Sequence, residues 1–392
     1  MAAIASARLL ARLTLMASFI HFLLSFALWM LIGALGVYIA EELELSAAKK
    51  SFLVAIPILS GSLLRIPAGL LSDSFGAKRV GSWMLAFLFL PLILGWQSRG
   101  LGQLIACGFM LGVAGASFAV ALPLSSRWYA ADRQGLVMGI AAAGNAGTVI
   151  ANLLAPRLAN QFGWRNVFAL AMLPLAVALI AFSLMAKDNR ACPAKRSGAG
   201  AMISALKEID LWWFCFFYSI TFGGYVGLSG FLPIFLRDQY SLDPILSGHL
   251  TALVALIGSL SRSIGGFLAD RFGGARMLAP LLGTIGLSYI LVAQSPGLDL
   301  MIGLLVVMAV CLGMGNGVVF QLVPQRFPNQ IGTVTGVVGA VGGVGGFFLP
   351  TLLGSAKQWS GSFVAGFLAL GLASAVAAIS ARTLTALPES WG

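Results

Sequence analysis

Residues 65–79 read RIPAGLLSDSFGAKR, and residues 262–276 read RSIGGFLADRFGGAR. Seven of the fifteen positions are identical at a constant offset of 197: Arg65/Arg262, Gly69/Gly266, Leu71/Leu268, Asp73/Asp270, Phe75/Phe272, Gly76/Gly273 and Arg79/Arg276. The offset is half of a 392-residue chain, so the sequence reads as a duplication. Each copy carries an arginine inside an apolar run. Two buried cations related by internal symmetry point to an anion site between the halves.

Composition fixes the solvent. The chain is 59% hydrophobic and 9% charged, with a mean hydropathy of +0.95. Soluble domains carry about 25% charged residues, which excludes a soluble reading. Apolar runs of about 20 residues cross a bilayer as helices. Such runs fit near 15–40, 50–71, 80–97, 102–125, 135–156 and 166–186, then 210–236, 245–269, 277–295, 300–324, 331–355 and 361–382. The runs are continuous rather than alternating, which argues against a barrel. The expected fold is an all-α membrane protein of twelve transmembrane helices in two pseudo-symmetric six-helix bundles. The expected domains are 1–186 and 210–392, joined by a basic linker at 187–209.

The net charge of +11 follows from topology rather than from nucleic-acid binding. With both termini cytoplasmic, fifteen basic residues fall in inside loops and tails and seven in outside loops, as the positive-inside rule requires. The two left over are Arg65 and Arg262. The location implied is a multi-pass cytoplasmic (inner) membrane protein with lipid as its surroundings. A monomer is expected, with no nucleic-acid partner and no cofactor. The four cysteines, Cys107, Cys192, Cys215 and Cys311, show no paired spacing, so neither disulfides nor a metal site is indicated.

The loop after spans two and eight resembles the cytoplasmic loop motif of the major facilitator superfamily, G-x-x-x-D-R-x-G-R-[RK]. The second copy matches at Gly266, Asp270, Arg271, Gly273 and Arg276. The first matches at Gly69, Asp73, Gly76 and Arg79 but has Ser74 in place of the motif's arginine. The resemblance implies two bundles around a central site, working by alternating access, with this loop as a gate latch. A narrower resemblance covers spans one, two, five, eight, ten and eleven. AAAGNAGTVIANLLAPRLA, GMGNGVVFQLVPQRFP and GVVGAVGGVGGFFLPTLLG are similar to the signature segments of the nitrate/nitrite porter family. So is the arginine eight residues before the loop aspartate in both halves. The function implied is secondary transport of nitrate and nitrite.

The residues argue the same chemistry independently. Arg65 lies eight residues before Asp73, roughly 12 Å along a helix, close to the midplane of a core about 30 Å thick. Arg262 stands at the same distance from Asp270. All thirteen acids fall in loops or at span ends, so no intramembrane carboxylate answers the two arginines. A guanidinium is a planar fork that bonds two oxygens at once, which suits a small oxyanion as the missing counter-charge. Asn145 in span five can donate two N–H groups, and Asn316 can bind substrate or bridge helices. Tyr218 and Phe222 share a face of span seven. Phe118 and Phe320 stand near Pro123 and Pro324 in spans four and ten. These four rings are candidates for packing on either side of a flat anion, with Phe26 and Trp29 as weaker ones.

Small residues crowd two spans. Gly135, Gly139, Gly144 and Gly147 lie in the fifth, and Gly339, Gly342, Gly343 and Gly346 in the eleventh. They allow close backbone approach, and tight helix packing is the first reading for most of them; Gly144, Gly147, Gly339, Gly342, Gly343 and Gly346 are also candidates for helix sliding. Coupling is open. No intramembrane acid can carry a proton, and the titratable candidates are His21 and His249. Exchange of one anion for another is preferred to proton symport, because an empty site would leave two desolvated like charges. Another small anion such as a carboxylate, or a non-transporting sensor, are the alternatives. An enzyme is disfavoured because no nucleophile–base pair or ligand set is present.

Overall fold

The computed structural model describes residues 2–129, 137, 140–189, 204–327 and 331–386. Among the described residues, eleven helices are long and apolar enough to cross a membrane: α1 (Arg8–Trp29), α2 (Ala47–Phe75), α3 (Ala77–Trp96), α4 (Leu101–Ser126), α6 (Trp164–Met185), α7 (Ile209–Tyr240), α8 (Pro244–Phe272), α9 (Gly274–Ala293), α10 (Leu298–Arg326), α11 (Val334–Ser360) and α12 (Val364–Leu384). Between α4 and α6 runs α5, a 3-10 turn at Ala143–Ala146 that continues into the helix Gly147–Phe162. Gly135, Gly139, Cys192 and most of the expected linker, 190–203, lie outside the described residues.

The duplication is visible element by element. α2 and α8 each span 29 residues and are offset by 197. Each opens on a capping side chain. Ser46 Oγ accepts from the Lys49 N–H at 3.4 Å, and Asp243 Oδ1 accepts from Ile245 and Leu246 at 2.9 and 3.1 Å. These bonds satisfy amides that the first helical turn leaves free. Each closes on a glycine with positive φ, Gly76 at +91° and Gly273 at +87°. That conformation is strained for residues with a Cβ, which is why both copies of the loop motif carry glycine there.

Two ends of the molecule can be distinguished. The motif face holds the α2–α3 and α8–α9 turns, and the far face holds the starts of α2 and α8. α11 packs against α2 from the far face inward. A Cβ on Gly354 would meet Ser51 Oγ at 2.1 Å, one on Gly346 the Ile58 side chain at 3.0 Å, and one on Gly343 Ser62 Oγ at 2.2 Å. Toward the motif face, Gly336 has nothing within 4 Å. The halves are also pressed together at the far end, where a Cβ on Gly33 would lie 2.5 Å from the Gly230 carbonyl oxygen.

Candidate functional site

Arg65 and Arg262 come together at the middle of the interface between the halves. Arg65 on α2 is 4% exposed. Its Nε donates to Gly115 O at 3.2 Å and its Nη1 to Gly339 O at 2.6 Å, whereas Nη2 has no partner. The Gly115 carbonyl is free to accept because α4 is interrupted beside it. Ala119 N, one helical turn on, bonds Ala116 O instead at 3.0 Å. Arg262 on α8 is part-buried. Both guanidinium carbons lie within 6 Å of one ring, at 5.7 Å (Arg65) and 5.9 Å (Arg262) from the Phe118 centroid. Cations over aromatic faces at this range are attracted by the ring quadrupole.

The remaining rings enclose the pair. Phe222 lies 4.8 Å and Trp29 5.6 Å from the Arg65 guanidinium carbon, and Phe320 5.5 Å from that of Arg262. Tyr218 and Phe222 stack at 4.9 Å with 2° between their planes, and Phe320 meets Tyr218 edge-on at 4.8 Å. A π-helical turn at Ser219–Gly223 sets the positions of Tyr218 and Phe222; such bulges recur at functional sites. Glycine in α11 makes room for it. A Cβ on Gly342 would lie 2.2 Å from the Tyr218 ring, and one on Gly345 2.6 Å from Ser219 O. Trp29 is fixed from behind, its Nε1 donating to Pro57 O at 2.6 Å.

Asn145 and Asn316 are buried, each with an unpartnered Oδ1. Asn145 belongs to the 3-10 turn of α5, and Asn316 sits one turn before Phe320 on α10. Neither touches an arginine through a described hydrogen bond. Of the candidate sliding glycines, Gly144 and Gly147 pack on α1, where an added Cβ would come within 2.7 Å of Phe22 and 2.0 Å of Leu23 O. Gly342, Gly343 and Gly346 pack on α7 or α2, and Gly339 supplies its carbonyl to Arg65. Tight packing therefore accounts for Gly144, Gly147, Gly342, Gly343 and Gly346 in the present state, but not for Gly339, where the nearest neighbour of an added Cβ would lie 3.8 Å away. Cys107, Cys215 and Cys311 are buried free thiols.

The two loop motifs behave differently. Asp73 pairs with Arg127 at 2.8 Å, within its own half. Asp188 caps the start of α3 by accepting from Lys78 N at 3.2 Å, and it fills the space over Gly76. Arg79, Asp270, Arg271 and Arg276 are exposed; Arg271 lies over Phe267 at 5.7 Å. Among the described residues, Asp270 makes no ion pair. Gly69 and Gly266 meet only one neighbour each, both at 3.9 Å. The ion pairs that cross between halves lie at the other end. Glu41 accepts from Arg237 at 2.9 Å, and Lys50 pairs with Asp238.

Comparison with known proteins places this geometry. The Major Facilitator Superfamily model matches residues 17–350. The "Nitrite extrusion protein" of Bacillus subtilis is 36% identical over 347 residues, covering 88% of this chain and 87% of that one. The "Probable nitrate/nitrite antiporter NarK1" of Thermus thermophilus is 33% identical, covering 92% and 88%. This chain belongs to the nitrate/nitrite porter family of the major facilitator superfamily. The "Probable nitrate/nitrite transporter NarK2" of Mycobacterium tuberculosis, 34% identical with 93% of each chain covered, is a further relative. A bacterial homologue of the human lysosomal transporter Spinster, solved inward-facing and occupied, shares the fold with a TM-score of 0.72 at 16% identity, covering 94% of each chain. The chain is thus a multi-pass membrane transporter. The arginine–aromatic layer lies at the centre of its two bundles. Among the described residues no three His, Cys, Asp or Glu side chains could hold a metal.

Sequence reasoning missed three things. The π-helical turn carries no motif. The carbonyl partners of Arg65 depend on a helix interruption that no residue type announces. The far-face ion pairs join residues almost 200 apart, and hydropathy gives no sign of them.

Proposed function

We propose that the chain exchanges nitrate and nitrite across the cytoplasmic membrane by alternating access, binding the anion between Arg65 and Arg262. The observation that carries this reading is the unanswered charge of Arg65. Its two described partners are neutral carbonyls. Of the five N–H groups of a guanidinium, three remain, one on Nη1 and two on Nη2. That is enough for a fork to two oxygens of a planar anion. Arg262 supplies the opposite side. Tyr218, Phe222, Phe118 and Phe320 bound the space above and below, and Asn145 and Asn316 offer amide groups that can turn their N–H toward it.

Exchange is favoured over proton symport. An empty site keeps two like charges out of water and in mutual repulsion, so the protein should change sides with an anion bound. The names of the relatives, an extrusion protein and an antiporter among them, agree with this substrate. We assign the motif face to the cytoplasm, with both termini there, from the distribution of basic loops. The state is then inward-facing, because the cross-half ion pairs and the Gly33–Gly230 approach close the far face. The loop motif acts as a gate within its own half in this state, through Asp73 and Arg127. The bundles 1–186 and 210–392 move as a monomer.

Proteoliposomes test this. Nitrate uptake should require nitrite or nitrate inside and proceed without a pH gradient. Uptake driven by a pH gradient with no internal anion would contradict exchange.

A further inference from the structure

The seam between α5 and α8 holds a set of buried polar groups that runs from Asn145 toward the far face. Asn145, Thr148 and Asn152 follow at i, i+3 and i+7, so they form one stripe of α5. All three are buried; Asn145 Oδ1 and Asn152 Oδ1 have no hydrogen-bond partner, and the Thr148 hydroxyl lies against that of Tyr225. The stripe continues to Pro156, whose carbonyl accepts from Tyr38 at 3.0 Å, near the Glu41–Arg237 pair that closes the far face. Across the seam, Ser247 of α8 is fully buried and its Oγ is also unpartnered. Ser247, Thr251, Ala255 and Ser259 recur every fourth residue and lead to Arg262. Tyr225 of α7 bridges the space. Its hydroxyl donates to Ala255 O at 3.0 Å, beside Thr148, Ser229 and Ser259.

The seam on the other side of the molecule, between α2 and α11, is chemically different. Its hydroxyls are satisfied by their own helix: Ser51 on Ala47 O at 2.7 Å and Ser62 on Ile58 O at 2.6 Å. Buried polar atoms are nearly always paired, and exceptions need a reason. Here three unpaired oxygens, those of Asn145, Asn152 and Ser247, line one inter-half seam that runs from the arginine layer to the closed face. A Cβ on Gly248 would lie 2.5 Å from Asn152 O, so the seam is shut in this state. When the far face opens, α5 and α8 must separate, and these groups then face the opened space.

We propose that the α5–α8 seam is a second station for a small hydrated oxyanion, on the path between Arg262 and the far face. Thr148 and Ser247 donate their hydroxyls to anion oxygens. The Asn145 and Asn152 oxygens accept from the water the anion carries. This inference rests on the reading of the chain as an anion exchanger with the far face closed.

The test compares two measurements on Thr148→Val/Ser247→Ala: nitrate counterflow in proteoliposomes and equilibrium nitrate binding to the purified protein. Counterflow should fall by at least ~10-fold, as for loss of hydrogen bonds to a charged group, while the dissociation constant stays within about twofold. Thr148→Ser, which keeps the hydroxyl, should exchange at the wild-type rate. Should the double variant lose its melting transition, Thr148→Val alone, close in shape to threonine, is read in the same way. A variant that keeps pace with an exchanging wild type overturns the second station alone. A parallel fall in binding and counterflow also overturns it, because the groups would then act through the arginine site. A wild type that exchanges no anion overturns the exchanger reading and this inference together.

Discussion

Arg65 of α2 donates from Nη1 to the carbonyl of Gly339 in α11, 2.6 Å away. The cation of one half is thereby tied to the backbone of the other. The glycines around this bond are not equivalent, and that makes a sharp prediction. A Cβ at 339 would meet its nearest neighbour, Arg65 Nη1, at 3.8 Å, an ordinary contact, whereas one at 342 would lie 2.2 Å from the Tyr218 ring. Gly339→Ala should keep wild-type thermal stability. Gly342→Ala should lose about 1–3 kcal/mol through overpacking and displace Tyr218. Thermal melts in detergent check this, and equal melting temperatures for the two variants would contradict the packing described.

The far-face ion pairs Glu41–Arg237 and Lys50–Asp238 hold the two halves together at the end opposite the loop motif. Partly exposed pairs are worth about 0.2–1 kcal/mol each, or roughly 1.4- to 5-fold in an equilibrium. Glu41→Gln/Asp238→Asn should therefore raise the share of molecules open at the far face. Distance distributions between spin labels at Glu44 and Ser241, just beyond the helix segments that carry Glu41 and Arg237, measure it. An unchanged distribution would remove these pairs from the gate.

Glu42 gives a pH dependence. The hydrogen bond from Arg165 holds its carboxyl below the usual carboxylate range, with a weaker opposing push from burial and a second hydrogen bond from Trp164 Nε1 at 2.6 Å. A depressed carboxylate pKa stabilises the fold above the unfolded value and loses that contribution as pH falls through the folded value. The side chain is 47% exposed, so solvent screening limits the effect to about 1 kcal/mol or less. Glu42→Gln should melt slightly below wild type at neutral pH, and the gap should close below roughly pH 4. A gap that persists in acid would mean that packing rather than charge is responsible.

Much of this arrangement was legible in the sequence, for physical reasons. Hydropathy reports bilayer-spanning helices directly, because lipid leaves few other solutions for the backbone. The 197-residue repeat fixed the pairing of α2 with α8, and their caps and terminal glycines coincide. Arg65 and Arg262 stood out because every other cation had a topological place. The structure brings both to one ring, that of Phe118. What sequence could not supply was backbone detail. The interruption of α4 that frees Gly115 O, the π-helical turn that sets Tyr218 and Phe222, and the ion pairs between distant loops all depend on tertiary context. The α11 glycines read as small residues for close packing or sliding, and their immediate neighbours Tyr218, Ser62 and Gly223 show what they admit at close range.

The claim on which the rest depends is that both arginines hold the anion as bidentate partners. Equilibrium nitrate binding to the purified protein tests it, with Arg65→Lys and Arg262→Lys beside the wild type and melting curves as the control for folding. Lysine keeps the charge but not the fork. Each variant should therefore bind nitrate ~10- to 150-fold more weakly, abolish counterflow and retain an ordinary melting transition. Wild-type nitrate affinity in either folded variant would contradict the two-arginine site.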